Sequence, residues 1–207
     1  MTTRSFSSAA ERNRQPILEQ LYALLPTTGM VLEIGSGSGQ HAVFFSAHLP
    51  HLLWQPSEMG PQLEALEVNI KAAGAVRVLP PLMLDVMNDP WPTQDYAAVY
   101  SANTAHIMPW EAVTAMFAGV SGRLVVGTRF CLYGPFNINH CYTSPGNAQF
   151  DAHLHEEDSR MGIRDMQDIE LLANKHQMQL EQKLAMPANN FILVFLKQPG
   201  IEPVHGH

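Results

Sequence analysis

Three glycines at alternate positions follow a short apolar run near the start of the chain. The run is Val-Leu-Glu-Ile at 31–34, and Gly35, Gly37 and Gly39 come after it. A helix-like stretch over 40–49 follows directly, so the pattern predicts a strand that turns sharply into a helix. Glycine permits positive φ angles and lets a ligand approach the backbone closely. The exposed N–H groups at the start of the helix then face a polar or anionic group of a ligand.

The spacing of these glycines separates three kinds of ligand-binding loop. A phosphate-binding P-loop ends in Lys followed by Ser or Thr, whereas Gln40 and His41 stand here. A dinucleotide-binding fingerprint spaces its glycines as G-x-G-x-x-G, and Gly39 comes one position too early for it. With Glu33 two positions before the first glycine, the loop resembles motif I of the class I S-adenosylmethionine-dependent methyltransferases. An ordinary strand–turn–helix junction without a ligand is the alternative.

That resemblance implies how the loop holds the cofactor. Glu33 would interact with the α-amino group of S-adenosylmethionine, directly or through water. The loop would supply four further cofactor-binding residues: Gly35, Ser36, Gly37 and Gly39.

Two further carboxylates end the next apolar runs. Glu58 follows the run that begins at Leu52 and lies about 20 residues beyond the glycine loop, the usual separation for a carboxylate that holds ribose hydroxyls. Asp85 ends the run 78–84 and precedes Val86. In the methyltransferases that the loop resembles, an acidic residue at this place accepts a hydrogen bond from the adenine amino group. A solvent-exposed carboxylate and a helix-capping Asp are the respective alternatives.

The segment after the fourth apolar run carries the candidate reactive groups. Asn103 is suited to positioning cofactor or substrate, and His106 could accept a proton from a hydroxyl, thiol or amine nucleophile near neutral pH. A structural histidine bonded to backbone is an equal alternative for His106. The Asp/Asn-Pro-Pro-Tyr/Phe motif of many enzymes that methylate planar nitrogens is missing here. Its absence argues against methylation of bases or glutamine side chains.

Composition limits the partners and the location. The chain has 12 Lys and Arg against 19 Asp and Glu, a net charge of −7, and no basic run. Tight, sequence-independent binding of nucleic acid needs clustered Lys and Arg, so a nucleic-acid partner is disfavoured. No apolar stretch approaches the roughly 20 residues of a membrane span, and the N-terminus lacks the apolar segment of a signal peptide. Cys131 and Cys141 fit free thiols in a reducing compartment. We expect a cytoplasmic protein with a small-molecule substrate and no membrane contact; nothing in the sequence assigns an oligomeric state.

The remaining histidines do not suggest a metal site. His153 and His155 are two positions apart on a predicted helix, and His205 and His207 lie in a polar tail. Residues two apart do not share a helix face, and none of these shows the His/Cys/carboxylate spacing of a zinc site. We therefore predict no bound metal.

Apolar runs alternate with helical patterns in the order expected of βα units. Strands are predicted at 30–34, 52–55, 78–84, 96–100 and 123–127. Helices are predicted at 16–25, 40–49, 61–73, 109–119 and 165–177. Two further strands near 179–186 and 191–197, joined through Pro and Asn, predict an antiparallel hairpin. The whole chain, 1–207, is predicted to be one α/β domain with a three-layer αβα Rossmann-like fold. Its mostly parallel sheet of seven strands ends in an antiparallel hairpin strand.

One long stretch, 131–163, separates the fifth strand from the last helix. It holds a short predicted helix around 148–156 together with aromatic and mixed polar residues. An insertion of this length in an α/β domain is commonly functional. We predict that it forms a lid over the carboxyl ends of the strands, where such sheets bind ligands.

Short motifs spread over nearly the whole chain narrow the resemblance. They are Ala-Glu-Arg-Asn at 10–13, Pro-Ile-Leu at 16–18, Ser-Gly-Ser-Gly-Gln-His-Ala at 36–42, Trp-Gln-Pro-Ser at 54–57, Leu-Asp-Val at 84–86, Ala-His-Ile at 105–107, Tyr-Gly-Pro at 133–135, Phe-Asp at 150–151, Gly-Ile-Arg-Asp at 162–165 and Met-Pro-Ala-Asn-Asn at 186–190. With them the chain resembles a methyltransferase-like family of bacteria and animals whose substrate is not established. That family usually has Asp where Glu58 stands and often Trp where Met161 stands.

These patterns together predict a methyltransferase that uses S-adenosylmethionine, releases S-adenosylhomocysteine and acts on a small-molecule acceptor. The cofactor would be held by Glu33, Gly35, Ser36, Gly37, Gly39, Glu58, Asp85, Val86 and Asn103. His106 would accept the proton. The acceptor would contact Arg12 or Arg14, Asn13, Tyr133, Asn189 and Asn190, for which ordinary capping and loop hydrogen bonds are the alternative. A non-catalytic sensor or scaffold that binds the cofactor is a second hypothesis, because no catalytic motif is recognisable. An NAD(P)-dependent oxidoreductase is a remote third on the glycine spacing.

Overall fold

A sheet of seven strands forms the centre of the computed structural model, which describes residues 6–200. The strands are β1 (Gly29–Ile34), β2 (Leu52–Glu58), β3 (Leu82–Met83), β4 (Tyr96–Ala102), β5 (Leu124–Pro135), β6 (Met178–Met186) and β7 (Asn190–Lys197). Their order in the sheet is β3-β2-β1-β4-β5-β7-β6. The first five strands pair in parallel, and β7 runs antiparallel to both of its neighbours, β5 and β6. The predicted mostly parallel sheet with an antiparallel C-terminal hairpin is confirmed.

Helices cover both faces of this sheet. They are α1 (Ser8–Leu24), α2 (Gln40–His48), α3 (Gly60–Ala73), α4 (Trp110–Arg123), α5 (Pro145–Glu157) and α6 (Met166–Lys175). One buried apolar cluster joins α1 and α2 to the sheet around Phe45, Trp54 and Tyr100. The other joins α4 and α6 to the opposite face around Phe117 and Phe130. The predicted three-layer αβα arrangement is therefore present.

None of the helices within residues 6–200 is both long enough and apolar enough to cross a bilayer. His205 and His207 lie outside the described residues. The single-domain organisation of 1–207 stays a prediction.

The first helix begins earlier than predicted, at Ser8 rather than near 16. Ser7 caps it, since its hydroxyl accepts a hydrogen bond from the backbone N–H of Ala10, and Glu11 lies in the first turn, where a negative charge suits the helix dipole. Pro16 stands inside the helix instead of at its start. The helix continues past the proline because its next residues bury an apolar face in the core: Ile17, Leu18, Leu21 and Leu24.

The third strand is much shorter than the predicted run 78–84. Only Leu82–Met83 pairs with β2 as a strand, and Val78 makes an isolated bridge to Trp54. Pro80 and Pro81 interrupt the run, because proline has no N–H to donate to a neighbouring strand.

The fifth strand is longer than predicted, and this moves the start of the lid. β5 extends to Pro135 and pairs with β7 through Pro135↔Asn190, so the lid begins after Pro135 rather than at 131. The register of β5 against β4 jumps from Tyr96↔Leu124 to Ala98↔Arg129. Gly127, at a φ of 82°, lies in the bulged segment between these pairs. A bulge of this kind is invisible to period-2 patterning.

Trp91 holds the segment after β3 against α4. The indole is half-buried, its Nε1 donates to the carbonyl oxygen of Val86 at 3.4 Å, and its ring lies directly against Gly119. A Cβ at position 119 would overlap the indole, whereas a Cβ at Gly122 in the same helix would meet nothing within 4 Å.

We expect Gly119→Ala to lower the free energy of unfolding by about 2 kcal/mol, because the added methyl group must displace Trp91. Gly122→Ala is the matched control and should raise it by about 0.5 kcal/mol, since alanine favours helix and nothing obstructs its methyl group. Urea midpoints at an unchanged m-value measure both effects. Equal stabilisation by the two substitutions would contradict the packing of Trp91 on α4.

Candidate functional site

The glycine loop is fastened to the end of β2 by three hydrogen bonds. The backbone N–H of Ser36 donates to the carbonyl oxygen of Ser57 at 2.9 Å, and the N–H of Ser57 donates to Ser36 Oγ at 3.2 Å. The N–H of Gly37 donates to Glu58 Oε2 at 2.6 Å. The loop after β1 and the carboxylate that ends β2 are therefore held together at one edge of the sheet.

The glycines let this loop pack where a side chain could not. Gly35 has a φ of 70°, and a Cβ there would lie 2.5 Å from Thr104 Cγ2 in the loop after β4. Gly37 has a φ of 54°, and a Cβ there would meet nothing within 4 Å. Close contact at Gly35 thus brings the two loops together, while Gly37 presents bare backbone to open space.

A cavity of about 530 Å³ opens at the carboxyl ends of β1, β2 and β4; we name it the strand-end cavity. Six of the nine predicted cofactor residues line it: Gly35, Gly37, Glu58, Asp85, Val86 and Asn103. Apolar side chains complete the walls, among them Met59, Ile107 and Met108. The structure thus brings carboxylates, bare backbone and apolar surface to one cleft, the usual ligand position of an open α/β sheet.

The other three predicted cofactor residues lie outside the lining of this cavity. Ser36 fixes the loop to Ser57, and Gly39 is the N-terminal cap of α2. Glu33 is only 2% exposed, and its Oε2 accepts a hydrogen bond from Trp54 Nε1 at 2.8 Å. Burial raises the pKa of the Glu33 carboxyl to about 7. Glu33 therefore lies behind the loop, in the core on the α1 and α2 side.

Asp85 both caps its own turn and lines the strand-end cavity. Its Oδ1 accepts from the backbone N–H of Met87 at 2.9 Å, and its Oδ2 accepts from Asn88 Nδ2 at 2.9 Å. The hydrogen bond from Asn88, followed by that from Met87, lowers the pKa of Asp85. The carboxylate is thus held ionised in the cavity wall. Asp85 therefore caps its own turn and also faces the space that a ligand would occupy.

The lid contributes residues that the sequence did not single out. Asp158 and Arg160 follow α5, form an ion pair at 2.7 Å, and line the strand-end cavity together with Met161. Arg164 fastens the lid to the loop after β4, because its Nε donates to the carbonyl oxygen of Ala105 at 3.0 Å. No motif marks Asp158 or Arg160, so only the three-dimensional structure could reveal them.

A second cavity, of about 240 Å³, lies between α1 and the turn of the β6–β7 hairpin; we name it the α1–hairpin cavity. Four of the predicted acceptor residues line it: Arg12, Asn13, Tyr133 and Asn190. Asn189 lies in the turn itself, where its carbonyl oxygen accepts from Asn147 Nδ2 at 3.3 Å. Arg14 points elsewhere, pairs with Glu11 and stacks over the ring of Phe44. Of the two arginines that the sequence left open, Arg12 is the one at this cavity.

Asn103 lines both cavities. It follows β4 with a left-handed φ of 58°, and its backbone N–H donates to the carbonyl oxygen of Tyr133 at 2.9 Å. Asparagine tolerates this conformation better than most residues. Asn103 therefore marks the boundary between the strand-end cavity and the α1–hairpin cavity.

A buried chain of polar groups runs to the α1–hairpin cavity from the core. Tyr100 Oη lies 3.1 Å from His41 Nδ1, and His41 Nε2 lies 2.8 Å from Asn13 Oδ1. Burial lowers the pKa of His41 to about 4, so the ring is neutral at physiological pH. Because Asn13 Oδ1 can only accept, Nε2 carries the proton and Nδ1 accepts from Tyr100. Asn13, the end of this chain, lines the cavity beside Tyr133.

His106 lines neither cavity. Its side chain is 6% exposed and packs edge-to-face against Phe150 of α5, with ring centroids 5.2 Å apart. Burial, and next the positive charge of Arg164, lower the pKa of His106 to about 4. The imidazole is therefore neutral near pH 7, on the same loop as Asn103 but beneath the lid.

Within residues 6–200, no group of three or more His, Cys, Asp or Glu side chains is arranged to hold a metal ion. The absence of a metal cofactor stays a prediction.

Three solved structures that share the fold of this chain are described as methyltransferases. An O-methyltransferase family protein from Burkholderia thailandensis is 15% identical in sequence to this chain, with a TM-score of 0.77. The match covers 93% of this chain and 58% of the Burkholderia chain. The S-adenosylmethionine-dependent methyltransferase SibL, in its apo form, is 18% identical with a TM-score of 0.75, covering 92% and 56%. An O-methyltransferase family 2 protein from Planctomyces limnophilus, in complex with apigenin, is 12% identical with a TM-score of 0.76, covering 91% and 60%.

These likenesses establish the fold, and the chain spans only 56–60% of the length of these three proteins. A family model matches residues 4–197, which is nearly the whole sequence. The chain belongs to the family described as "Protein of unknown function (DUF938)".

Proposed function

We propose that the protein transfers a methyl group from S-adenosylmethionine to a small molecule. The observation that carries this proposal is the strand-end cavity, where the N–H of Gly37 and the carboxylate of Glu58 meet at 2.6 Å. A carboxylate at the end of the second strand, beside bare loop backbone, is the arrangement that holds a nucleoside in α/β sheets.

The residues of the strand-end cavity fit the charges of S-adenosylmethionine. Glu58, Asp85 and Asp158 line it against a single cation, Arg160, which is already paired with Asp158. An excess of carboxylates suits a ligand that carries a sulfonium and an ammonium group. Glu58 would hold the ribose hydroxyls, while Asp85 and Val86 would hold the adenine.

The bound cofactor supplies a methyl group that its sulfonium already activates. The work left to the protein is to hold the nucleophile in line with that methyl group and to exclude water. Asn103 borders both cavities and would position the two reactants. The acceptor would occupy the α1–hairpin cavity, against Asn13, Tyr133 and Asn190. A small molecule fits its volume of about 240 Å³, and the similar Planctomyces protein was solved with the small molecule apigenin.

One observation favours a non-catalytic cofactor-binding sensor or scaffold as the second candidate. His106, the candidate proton acceptor, lines neither cavity and is covered by Phe150. A methyl acceptor that is protonated at rest would then have no imidazole beside it. Release of S-adenosylhomocysteine separates the two candidates, because only an enzyme produces it.

Calorimetric titration tests the cofactor site. We expect S-adenosylmethionine and S-adenosylhomocysteine to bind and NAD not to bind. Glu58→Gln should weaken the binding of both ligands by about tenfold. The amide keeps an acceptor for the N–H of Gly37 but loses the negative charge that faces the ribose hydroxyls. Glu64→Gln, on the exposed side of α3, is the matched control and should change nothing. Binding of NAD in preference to S-adenosylmethionine would overturn the proposal.

Incubation with S-adenosylmethionine and the small-molecule fraction of a cell extract, with detection of S-adenosylhomocysteine, then tests turnover.

Glu33 can be tested through the protons that cofactor binding releases. With its pKa raised to about 7, the buried carboxyl is partly protonated at neutral pH. A cofactor ammonium nearby would favour the ionised form and lower that pKa, so binding at pH 7 should release about half a proton. Calorimetry in two buffers of different ionisation enthalpy measures this release. Glu33→Gln should abolish it, and a release that persists in this variant would assign the proton to another group.

For an acceptor whose nucleophile is protonated at rest, His106→Ala should abolish turnover, because that nucleophile needs a base. The affinity for S-adenosylhomocysteine should stay unchanged, because His106 lies outside the strand-end cavity. The matched control is His153→Ala on the exposed side of α5, where the imidazole lies near Glu156 and Glu157. Full turnover by His106→Ala would remove this residue from the proton-acceptor role.

A further inference from the structure

The α1–hairpin cavity differs from the strand-end cavity in charge. Among the described residues, no carboxylate lines it, and its one charged side chain is Arg12. Within residues 6–200, Arg12 forms no ion pair, whereas Arg14 on the same helix is paired with Glu11. The cavity therefore offers an uncompensated guanidinium, which is a bidentate donor for a carboxylate or phosphate.

A second group that can donate faces the same cavity. Tyr133 lines it and is 3% exposed, beside Asn13, whose side-chain oxygen is held by the protonated Nε2 of His41. A phenol O–H can donate to a ligand in the cavity that its side chain lines. A ligand there meets an O–H donor and a cation at once.

The other described lining residues carry no charge. Asn13, Asn103 and Asn190 are polar, and the rest of the wall is apolar: Ala9, Pro16, Pro187 and Ala188. The cavity therefore matches a molecule with one anionic group and a partly apolar body, and it matches a cation poorly.

We propose that the α1–hairpin cavity binds the methyl acceptor through a carboxylate on that acceptor, held by Arg12 and Tyr133. That the ligand is a methyl acceptor rests on the proposed function. The preference for a carboxylate follows from the lining of the cavity alone. S-adenosylmethionine itself carries a carboxylate, with an ammonium group beside it. An acidic side chain next to the arginine would suit that zwitterion, and none lines the α1–hairpin cavity within residues 6–200.

Fluorine NMR titration with 4-fluorobenzoate and its neutral isostere 4-fluorobenzamide tests this preference. Both probes have the same shape, so a difference in affinity reports the charge. We expect 4-fluorobenzoate to bind at least about fivefold more tightly, the effect of one partly exposed charge pair. Arg12→Gln should remove the difference. Arg14→Gln, on the same helix, is the matched control and should retain it.

Several results would overturn the proposal. They are equal binding of the two probes, no binding of either, or loss of the difference in Arg14→Gln as well as in Arg12→Gln. The titration is repeated with the protein saturated with S-adenosylhomocysteine, and 4-fluorobenzoate should still bind. Its displacement would assign Arg12 to the cofactor's own carboxylate instead.

The same samples separate failure of this proposal from failure of the proposed function. An inability to bind S-adenosylhomocysteine would defeat the methyltransferase assignment. The two probes, titrated into the cofactor-free protein, would still report whether the cavity prefers an anion. Tyr133→Phe adds a further readout, because it should weaken the binding of 4-fluorobenzoate about threefold and that of 4-fluorobenzamide less, since a neutral carbonyl oxygen accepts a weaker hydrogen bond than a carboxylate.

Discussion

The pairing of Ser36 with Ser57 is the constraint on which the rest of the site depends. Two hydrogen bonds extend the β1–β2 pairing one step beyond the end of β1, into the glycine loop. The loop is thereby placed so that the N–H of Gly37 meets Glu58 at 2.6 Å. Its other side packs at Gly35 against Thr104, which fixes the distance from β1 to the loop after β4. These contacts fix the positions of the glycine loop, the end of β2 and the loop after β4, and the strand-end cavity lies between them.

The second cavity depends on a buried polar chain instead. Tyr100, His41 and Asn13 lie in or against the apolar core of α1 and α2, where an unpaired polar group would be costly. Tyr100 donates to His41, and His41 donates to Asn13, so the donors run in one direction toward the cavity. This network fixes the amide of Asn13, which lines the cavity beside Tyr133.

Local chemistry was predictable from the sequence, and geometry set by distant contacts was not. Glu58 and Asp85 end apolar runs, so their place at the strand ends follows from the topology of parallel strands. The motif residues Arg12 and Asn190 are far apart in the sequence, and their predicted convergence is what the α1–hairpin cavity displays. By contrast, the burial of Glu33 against Trp54 and the ion pair of Asp158 with Arg160 depend on how whole elements pack. No spacing rule reports such packing.

The charge of the acceptor bears on the need for a base. Burial keeps the pKa of His106 near 4, so its imidazole is neutral at physiological pH but a weak proton acceptor. A carboxylate oxygen is already deprotonated near pH 7, and it can receive a methyl group without losing a proton. An acceptor that reacts through its carboxylate therefore makes a buried, weakly basic His106 compatible with catalysis. An acceptor whose carboxylate is only a handle for Arg12 requires His106 to reach its nucleophile, which means moving Phe150 and the lid. Because Phe150 lies over His106, the identity of the reacting atom decides whether Phe150 and the lid must move during the reaction.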